Sequence, residues 1–425
     1  MSVEIRFSRR SWVVVLLSFS GIAFYFLLVS VQYLAAYLSD GPTERRLRWA
    51  VKLDPFNAEY RDHLGRFDLL ARQSPASALP SLEAATRLDP YRAGYWLDRA
   101  NVEELIGSLG SERVSLGNTV AADPRSANTA WEVANLYLAQ GAVDDALNQY
   151  RRVMENDPHL TPTAIQICWK IRPDIDLLLQ NVVPANAYQA FLSYLVSENQ
   201  SAASAKVWER IVSLRQPVER RFLFDYLRHL FAVGEALQAA RVWQQAAALS
   251  GLAAYEPSDD NLLVNGDFRL DVTNGGFDWT YRKTSGVSLA LDPINGHSGA
   301  RSLRLFFEGP GISDAGIRQI VFVDPNTRYE FSGYYKAQEM DGAGGVRFCF
   351  QDLYNGTPIF MSADLSDTES WTPARGAFTT GPDTHLVTLQ IARVPAGSPI
   401  RGKLWVDDLK LITASHLAAL HEEQP

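Results

Sequence analysis

The side chains with the chemistry for catalysis are few, and their spacing does not suit a catalytic site. Adjacent acidic residues occur at Asp144-Asp145, Asp259-Asp260 and Asp407-Asp408. Glycoside hydrolysis requires two carboxylates that face each other across a sugar-sized cleft, which neighbours in a repeat turn, a linker or an edge motif do not supply. The sequence also contains no glycine-rich phosphate loop, no G-x-S-x-G elbow and no H-E-x-x-H motif. We therefore predict that the chain is not an enzyme.

Cysteine and histidine usage gives little support for redox or transition-metal chemistry. The chain has 2 cysteines, Cys168 and Cys349, and they fall in different predicted domains. Its 7 histidines show no spacing typical of a zinc or haem site. The 40 basic and 48 acidic residues give a net charge of -8, which repels a phosphate backbone. We expect no nucleic-acid partner and no redox cofactor.

Polar side chains near the C-terminus have the chemistry to bind a sugar. In three β-like segments, strict alternation separates an apolar set from a set that leaves the core. If these strands adjoin, the second set forms one polar face that contains Tyr334, Arg347, Gln351 and Gln390. Amide and guanidinium donors can bond sugar hydroxyls while an aromatic ring stacks on the sugar, and Trp279 could add a second ring. The alternative is an ordinary half-exposed sheet face with Trp279 as a packing residue.

The elements that carry these residues begin at about Asn261, where the apolar period changes from helical to alternating. The predicted strands are Ser302 to Glu308, Ile317 to Val323, Arg328 to Ala337, Gly345 to Tyr354, His385 to Val394 and Gly402 to Ile412. Such short strands predict an antiparallel two-sheet sandwich of the jelly-roll type over residues 261–412. Residues 252–260 are predicted as a linker and residues 413–425 as a tail.

The landmarks NLLVNGDF, Trp279, GHSGARSLRL, IRQIVFVDPNTRYEFSGYYKA, Trp371 and WVDDLKL occur in that order. This order resembles carbohydrate-binding modules of the galactose-binding-like jelly-roll superfamily. The resemblance implies a sandwich that binds glycan, binds protein or serves as a spacer. It also implies a structural calcium between the first and last strands, with Asp267 and Asp407 as the nearest acidic candidates. Arg269 stands where an acidic residue is common, which argues against the calcium.

A second sequence pattern, a repeat with a longer period, occupies residues 44–251. Asp-Pro recurs at residues 54, 89, 123 and 157, with separations of 35, 34 and 34 residues. Proline disfavours helix in the residue before it and suits the first turn of a helix, which an aspartate can cap. We therefore predict that each Asp-Pro ends one helix and begins another.

Residues 127–158 carry small and aromatic residues at helical spacing on both sides of Gly141. This segment resembles a tetratricopeptide repeat, with degenerate copies before it and irregular residues at 159–185. The resemblance implies an open solenoid that binds proteins or extended peptides. It would place Asn101 and Asn135, at equivalent positions of successive first helices, in the peptide groove. The alternative is that both amides are solvated and contact no ligand.

Residues 11–39 contain no charged side chain and are long enough to cross a hydrocarbon core of roughly 30 Å. Arg6, Arg9 and Arg10 precede this segment and predict a cytoplasmic N-terminus over residues 1–10, whereas Arg45, Arg46 and Arg48 after it weaken the charge asymmetry. A cleaved signal peptide is the competing interpretation, although its apolar region would be shorter. We predict a single-pass anchor in the inner membrane that holds the bulk of the chain outside the cytoplasm.

Together these features predict a multidomain protein with one transmembrane helix, an all-α solenoid and an all-β sandwich. The expected function is an envelope scaffold or assembly factor that binds protein partners and polysaccharide, in a setting such as exopolysaccharide assembly. The alternative is an adaptor of a secretion or envelope complex that has no glycan ligand.

Overall fold

The computed structural model describes residues 9–41, 43–299 and 301–422. Helices occupy the chain as far as Leu249, and two β-sheets and a short terminal helix follow. The chain divides between Ala187 and Tyr188 into two compact units. The predicted fold class is confirmed, because a helical repeat region precedes an antiparallel β-sandwich. Residues 1–8, which carry part of the predicted cytoplasmic N-terminus, and residues 423–425 of the predicted tail lie outside the described residues.

The first unit is helical. Its helices are α1 (Arg9–Ser39), α2 (Glu44–Leu53), α3 (Ala58–Leu70), α4 (Pro75–Leu88), α5 (Ala93–Ile106), α6 (Leu109–Ala122), α7 (Ala127–Ala139), α8 (Val143–Asn156), α9 (Thr161–Ile171) and α10 (Ile175–Leu177). A π-helical turn at Leu178–Val182 follows α10 directly. The irregular backbone predicted for residues 159–185 is therefore found only in the last part of that segment.

Helix pairs in this unit pack through the positions that the repeat pattern predicts. Ala134, Tyr137, Ala146, Tyr150 and Val153 are all buried between α7 and α8 or their neighbours. Alanine lets the two backbones approach closely, and the tyrosines fill the space beside them. The small-and-aromatic pattern in the sequence therefore corresponds to the contact surface of a helix pair.

The Asp-Pro dipeptides end helices but do not begin them. Asp54 and Asp89 are C-terminal caps, and their backbone N–H groups donate to Ala50 and Ala85. The next helix begins only at the third residue after the proline, where Asn57 caps α3 through its side-chain oxygen. The prediction that aspartate caps the new helix is therefore wrong, because the proline lies in the turn between the two helices.

Helix α1 contains the one stretch among the described residues that is long and apolar enough to span a membrane, from Trp12 to Ser39. Its described side chains are all exposed from Trp12 to Ser30. Burial begins at Val31 and is complete at Ala35, which packs with residues of α2 and α3. The end of α1 is therefore part of the helical repeat unit.

The second unit begins with helices α11 (Tyr188–Ser197), α12 (Ser201–Ser213), α13 (Arg220–Val233) and α14 (Ala236–Leu249). The segment predicted as a linker follows, but it is packed and not extended. Leu252 and Tyr255 are buried, and the Trp243 indole Nε1 donates to the Tyr255 carbonyl at 3.0 Å. These four helices and the sandwich are thus parts of the same compact unit.

The sandwich consists of β1 (Thr280–Tyr281), β2 (Val287–Asp292), β3 (Ser302–Gly311), β4 (Asp314–Phe322), β5 (Arg328–Asp341), β6 (Gly345–Asp352), β7 (Pro358–Met361), β8 (Thr372–Thr379), β9 (Leu386–Val394) and β10 (Pro399–Thr413). The first sheet has the strand order β1-β4-β9-β6-β7, and the second has the order β2-β3-β10-β5-β8. All described pairings are antiparallel. Helix α15 (Ala414–Glu422) follows β10.

The core lies between the two sheets and contains the side chains that alternation predicts. Tyr329, Phe331 and Tyr335 of β5 and Phe348 and Phe350 of β6 are buried in one apolar cluster. Phe331 meets the rings of Phe348 and Phe350 edge-on. Because strand side chains alternate, the residues between these positions must point away from the core.

Candidate functional site

The two sheets separate the residues that the sequence predicts as one sugar-binding face. Tyr334 lies on β5 of the second sheet, whereas Arg347, Gln351 and Gln390 lie on β6 and β9 of the first. The outer faces of the two sheets point in opposite directions across the shared core. The predicted joining of Tyr334 to the other three residues is therefore wrong.

Trp279 is the second predicted aromatic platform, and the structure places it in the core. Only 2% of its surface is exposed, its ring packs against Phe268, and its indole Nε1 donates to the Asn265 carbonyl at 3.1 Å. A buried ring cannot stack on a sugar. The packing alternative that the sequence left open is the correct one for this residue.

The remaining polar residues do come together on the first sheet. Strand β9 pairs with β6 and with β4, so that Gln390 lies directly across from Cys349 on one side and Arg318 on the other. The Gln390 amide Nε2 donates to Gln351 Oε1 at 3.2 Å. We call Arg318, Arg347, Gln351 and Gln390 the polar sheet face. Arg318 was not predicted, although alternation along the predicted β4 strand could have found it.

The two arginines of this face differ in their partners. Arg347 donates through Nε to Asp364 Oδ1 at 2.7 Å, and this contact raises the pKa of the guanidinium. Arg318 is exposed, and no carboxylate among the described residues forms an ion pair with it. The polar sheet face thus presents two amides and one guanidinium that is available to an external acceptor.

Tyr334 belongs instead to a histidine cluster on the second sheet, formed by His297, Tyr334, Trp371 and Asp408. The His297 ring stacks on Tyr334 with the centroids 3.7 Å apart, and the Trp371 ring meets it edge-on at 5.7 Å. His297 Nδ1 lies 2.6 Å from Asp408 Oδ2. Asp408 has a positive φ of 50°, an uncommon conformation for a residue with a side chain. Sequence reasoning missed this cluster because 111 residues separate His297 from Asp408.

The histidine cluster does not have the geometry of a Ser-His-Asp hydrolase. In that arrangement the serine hydroxyl bonds the imidazole nitrogen opposite the aspartate. Here the Ser298 hydroxyl donates to Asp408 Oδ1 at 2.5 Å and not to His297. The carboxylate thus holds both the hydroxyl and the ring in place, and the contact does not activate the hydroxyl as a nucleophile.

Three of the acidic residues noted in the sequence contact basic side chains of other elements. Asp144 and Asp145 pair with Arg172 and Arg113, each at 2.8 Å. Asp260 lies 3.0 Å from His416 Nε2, a contact that lowers the pKa of the carboxyl. These carboxylates serve as links between neighbouring elements.

The predicted calcium ligands do not fit a metal ion. Asp407 accepts the backbone N–H groups of His297 and Asp408, at 2.7 and 2.8 Å, with one oxygen each. Asp267 forms an ion pair with Arg269 Nε at 2.9 Å. The described part of the chain contains no group of three or more His, Cys, Asp or Glu side chains that could hold a metal.

A guanidinium occupies part of the region where the calcium was expected. Arg301 donates through Nε to the Phe268 carbonyl at 2.8 Å and through a terminal nitrogen to the Arg269 carbonyl at 2.7 Å. A bound cation would need such oxygens as ligands. The side chain of Arg301 therefore supplies the positive charge that the local carbonyl groups face.

In the first unit, Asn101 and Asn135 occupy the same position on α5 and α7, 34 residues apart. Asn135 is exposed, and its Oδ1 accepts the Tyr150 hydroxyl at 2.8 Å. This bond fixes the orientation of the amide and leaves its NH2 group directed away from Tyr150. Asn101 is half-buried on α5.

No protein-family model matches the chain, and no curated protein does. Among solved structures, it is similar to a crystal structure of MamA, with 19% identity over 37% of this chain and 88% of that one, at a TM-score of 0.29. It is also similar to a CBM4 structure, with 16% identity over 36% of this chain and 99% of that one, at a TM-score of 0.28. The CBM22-1 xylan-binding domain from Paenibacillus barcinonensis Xyn10C matches with 19% identity over 37% of this chain and 97% of that one, at a TM-score of 0.26.

At these identities and TM-scores the matches carry no conclusion about a shared ligand or role. The repeated helix pairs and the two antiparallel sheets are features of this chain itself. The chain joins a region of repeated helix pairs to an antiparallel two-sheet sandwich. Its candidate sites are therefore surfaces, one on the first helices of the repeats and one on the first sheet.

Proposed function

We propose that this protein is a single-pass scaffold of the inner membrane that binds protein partners through its helical repeats and glycan through its sandwich. Helix α1 would be the anchor, with the N-terminus in the cytoplasm and the remaining domains in the periplasm. Assembly of envelope or exported polysaccharide is the setting that would use both surfaces. The role is one of binding and positioning, and we propose no catalytic step.

The observation that carries the protein-binding role is the orientation of Asn135. A backbone carbonyl of an extended peptide can accept a hydrogen bond from its amide, which Tyr150 holds in one orientation. Asn101 repeats the same chemistry one repeat earlier, at the spacing that stacked helix pairs impose. Two amides at successive repeats can bind a peptide backbone at two points.

Photocrosslinking residues placed at Asn101 and Asn135 in the full chain test this role in native membranes. We expect discrete crosslinked proteins from these two positions, because a bound partner would contact the first helices. Asn118 on α6 and Asn156 on α8 provide matched control positions on second helices. Equal crosslinking from all four positions would contradict a specific groove, as would the same partner recovery from an Asn101→Ala/Asn135→Ala variant.

The glycan-binding role is based on the polar sheet face. Gln351 and Gln390 are hydrogen-bonded to each other and can donate to or accept from vicinal hydroxyls with their remaining atoms. Arg318 adds a guanidinium, whose fork geometry matches a carboxylate. We therefore propose a polysaccharide that contains uronic or other acidic sugars.

Affinity measurements with Arg318→Ala test the glycan. A hydrogen bond to a charged group contributes about 1.5–3 kcal/mol, so the variant should bind an acidic polysaccharide roughly 10- to 100-fold more weakly. Arg375→Ala removes an exposed arginine from β8 of the second sheet and should leave the affinity unchanged. Equal losses in the two variants would indicate attraction by net charge alone.

The alternative function is an adaptor of a secretion or envelope complex with no glycan ligand. The observation in its favour is the position of Tyr334 and Trp279, because neither supplies the polar sheet face with a stacking ring. If the intact chain binds neither acidic nor neutral polysaccharides in the same titrations, the adaptor is the correct function. The crosslinking experiment would then test the only remaining role, the binding of protein partners.

A further inference from the structure

Two aromatic side chains project from the same edge of the first unit. Phe56 and Tyr91 follow the prolines of the first two Asp-Pro turns and are 82% and 85% exposed. Each turn connects the second helix of one pair to the first helix of the next pair. We call the edge formed by these turns the Asp-Pro edge. Two such rings at equivalent turns make this edge a candidate contact surface.

The packing of α1 on α2 determines which way the Asp-Pro edge faces. The two helices are joined by a short turn, as is typical of antiparallel neighbours. Near the turn, the Arg46 guanidinium lies over the Tyr37 ring at 4.9 Å. Further from it, Ala35 packs in one cluster with Leu47 and Ala50. Positions in α1 therefore decrease as positions in α2 increase, which is an antiparallel arrangement.

It follows that the Asp-Pro edge lies toward the exposed part of α1. Helix α2 runs back along α1 and ends at Leu53, immediately before the turn that carries Phe56. Since α3 and α4 form the next antiparallel pair, the turn that carries Tyr91 returns to the same edge. The opposite edge contains the connections within pairs, including the start of α6 at Leu109.

The depth of this edge can be compared with the length of the exposed apolar stretch. At 1.5 Å per residue, the stretch from Trp12 to Ser30 is about 28 Å long, close to the thickness of a hydrocarbon core. Burial against α2 begins at Val31. If the stretch spans the bilayer, its boundary falls near the end of α2, and the Asp-Pro edge lies at the headgroup level.

We propose that the Asp-Pro edge docks on the membrane surface, with Phe56 and Tyr91 inserted at the interface. Aromatic rings favour this region because they are apolar yet tolerate a polar surrounding. The exposed basic side chains of Lys52 and Arg92 flank the two rings and suit anionic headgroups. The edge is continuous with the proposed anchor, so the inference rests on the proposed membrane function of α1.

This contact would fix the first unit against the bilayer, because two further points of attachment restrict rotation about the anchor. The groove face with Asn101 and Asn135 would then keep one orientation relative to the membrane. Exposed apolar residues also occur on the opposite edge, where Leu105 and Leu109 are 63% and 61% exposed. They are aliphatic and lie on the side away from the exposed part of α1.

Fluorescent labels on the full chain in liposomes containing anionic lipid test the proposal. Single cysteines at Phe24, Phe56, Tyr91 and Leu109 would carry an environment-sensitive dye, and quencher-bearing lipids would report contact. The native Cys168 and Cys349 are buried. Burial raises the pKa of both thiols, to about 12 for Cys168. Neither thiol therefore competes for the dye in the folded protein. Position 24 reports the anchor, position 109 is the opposite-edge control, and the other two report the docking.

We expect strong quenching at position 24 and partial quenching at positions 56 and 91, with shallow quenchers most effective there. The label at position 109 should be unaffected. Quenching at position 24 with positions 56 and 91 behaving like 109 would overturn the docking and leave the anchor intact. No quenching at position 24 would overturn the anchor together with the docking.

Discussion

Replacing Trp243 with alanine is expected to destabilise the whole second unit by about 3–5 kcal/mol, the usual range for a buried large aromatic. Trp243 on α14 is 2% exposed and stacks with Phe224 of α13. It also meets Phe277, which precedes the first strand of the sandwich, edge-on at 6.0 Å. Removal of the indole would leave a cavity between helices and sandwich and lose the hydrogen bond to Tyr255.

The close packing around Trp243 explains why neighbouring residues would not fill the cavity left by its removal. A Cβ atom added to Gly276 would lie 2.1 Å from Trp243 Cζ3, and one added to Gly275 would lie 2.3 Å from Phe224. Gly276 also has a φ of 61°, which favours glycine. The two glycines allow the backbone to approach the rings, so the contact is close and specific to these residues.

Calorimetry of the full chain in detergent measures the effect. A unit of this size should show a fall of roughly 10 °C in Tm, and α11–α14 should unfold together with the sandwich in the variant as in the parent. Leu237→Ala on the same helix removes a side chain that is 59% exposed and should change Tm little. Separate unfolding of helices and sandwich in the unmodified chain would contradict a single cooperative unit.

The sequence pattern alone could not predict where the second unit begins. The sequence changes period at about Asn261, and that change does mark where strands replace helices. The compact unit nevertheless begins at Tyr188, because the last helices pack on the turn before β1. A change of secondary structure gives the boundary of a fold type, whereas cooperative units depend on contacts between residues far apart in the sequence.

In the sandwich, the alternation of apolar and polar residues likewise predicted some structural features and not others. Period-two spacing correctly separated Tyr329 and Phe331 from Tyr334 along β5. It could not show that β5 and β6, adjacent in sequence, belong to different sheets. Consecutive strands can pair or cross between sheets, and the local pattern is the same in both cases. The predicted adjacency of the polar side chains was therefore correct for β6 and β9 and wrong for Tyr334.

The alternation of side chains along β9 also shows which residues point inward, but not how a buried charge is stabilised there. Arg393 falls on the inner side of β9 and is buried, which a charged residue rarely is. Its guanidinium donates to the carbonyls of Ala343, Gly345, Val394, Ser398 and Pro399. The cost of burial lowers the pKa of Arg393, and the five hydrogen bonds offset that cost. These partners come from two loops, and nothing in the local sequence indicates that they converge.

The degenerate repeats contain a comparable case. Glu112 occupies a position where the repeat pattern requires a small residue, and it is fully buried. Burial raises the pKa of its carboxyl. The Gln140 amide, at the C-terminal end of α7, donates a hydrogen bond to that carboxyl. A repeat can therefore tolerate a carboxyl at its close-packed position when a neighbouring repeat supplies the donor.

A second buried carboxyl should make the stability of the first unit depend on pH. Asp62 on α3 is 4% exposed, and burial together with the nearby Asp98 carboxylate on α5 raises its pKa to about 7. Burial raises the pKa of Asp98 as well, although Arg66 opposes the shift. A side-chain contact with Asp98 also favours the protonated form of Asp62. One oxygen of Asp62 has no hydrogen-bond partner among the described residues, so ionisation leaves a poorly compensated charge.

The direction of the pH dependence follows from this raised pKa. Between about pH 4 and pH 7 the folded state binds more protons at Asp62 than the unfolded state does, so the free energy of unfolding decreases as pH rises. Asp62→Asn keeps the donor and removes the ionisation. At pH 8 we expect this variant to be more stable than the parent by about 2–4 kcal/mol, and at pH 4 the two should have the same stability.

Hydrogen exchange of peptides from α3 and α5, measured across this pH range in the full chain and corrected for intrinsic exchange rates, gives the local readout. Protection should fall with pH in the parent and fall less in Asp62→Asn, which retains only Asp98. Glu132→Gln, which removes an exposed carboxylate from α7, should behave as the parent does. Asp98 lies one turn before Asn101 on the same side of α5. Charging the pair would therefore place negative charge beside the proposed peptide site, and the same variant should reduce any pH dependence of crosslinking from position 101. A parent pH profile retained in Asp62→Asn would assign the effect to other groups.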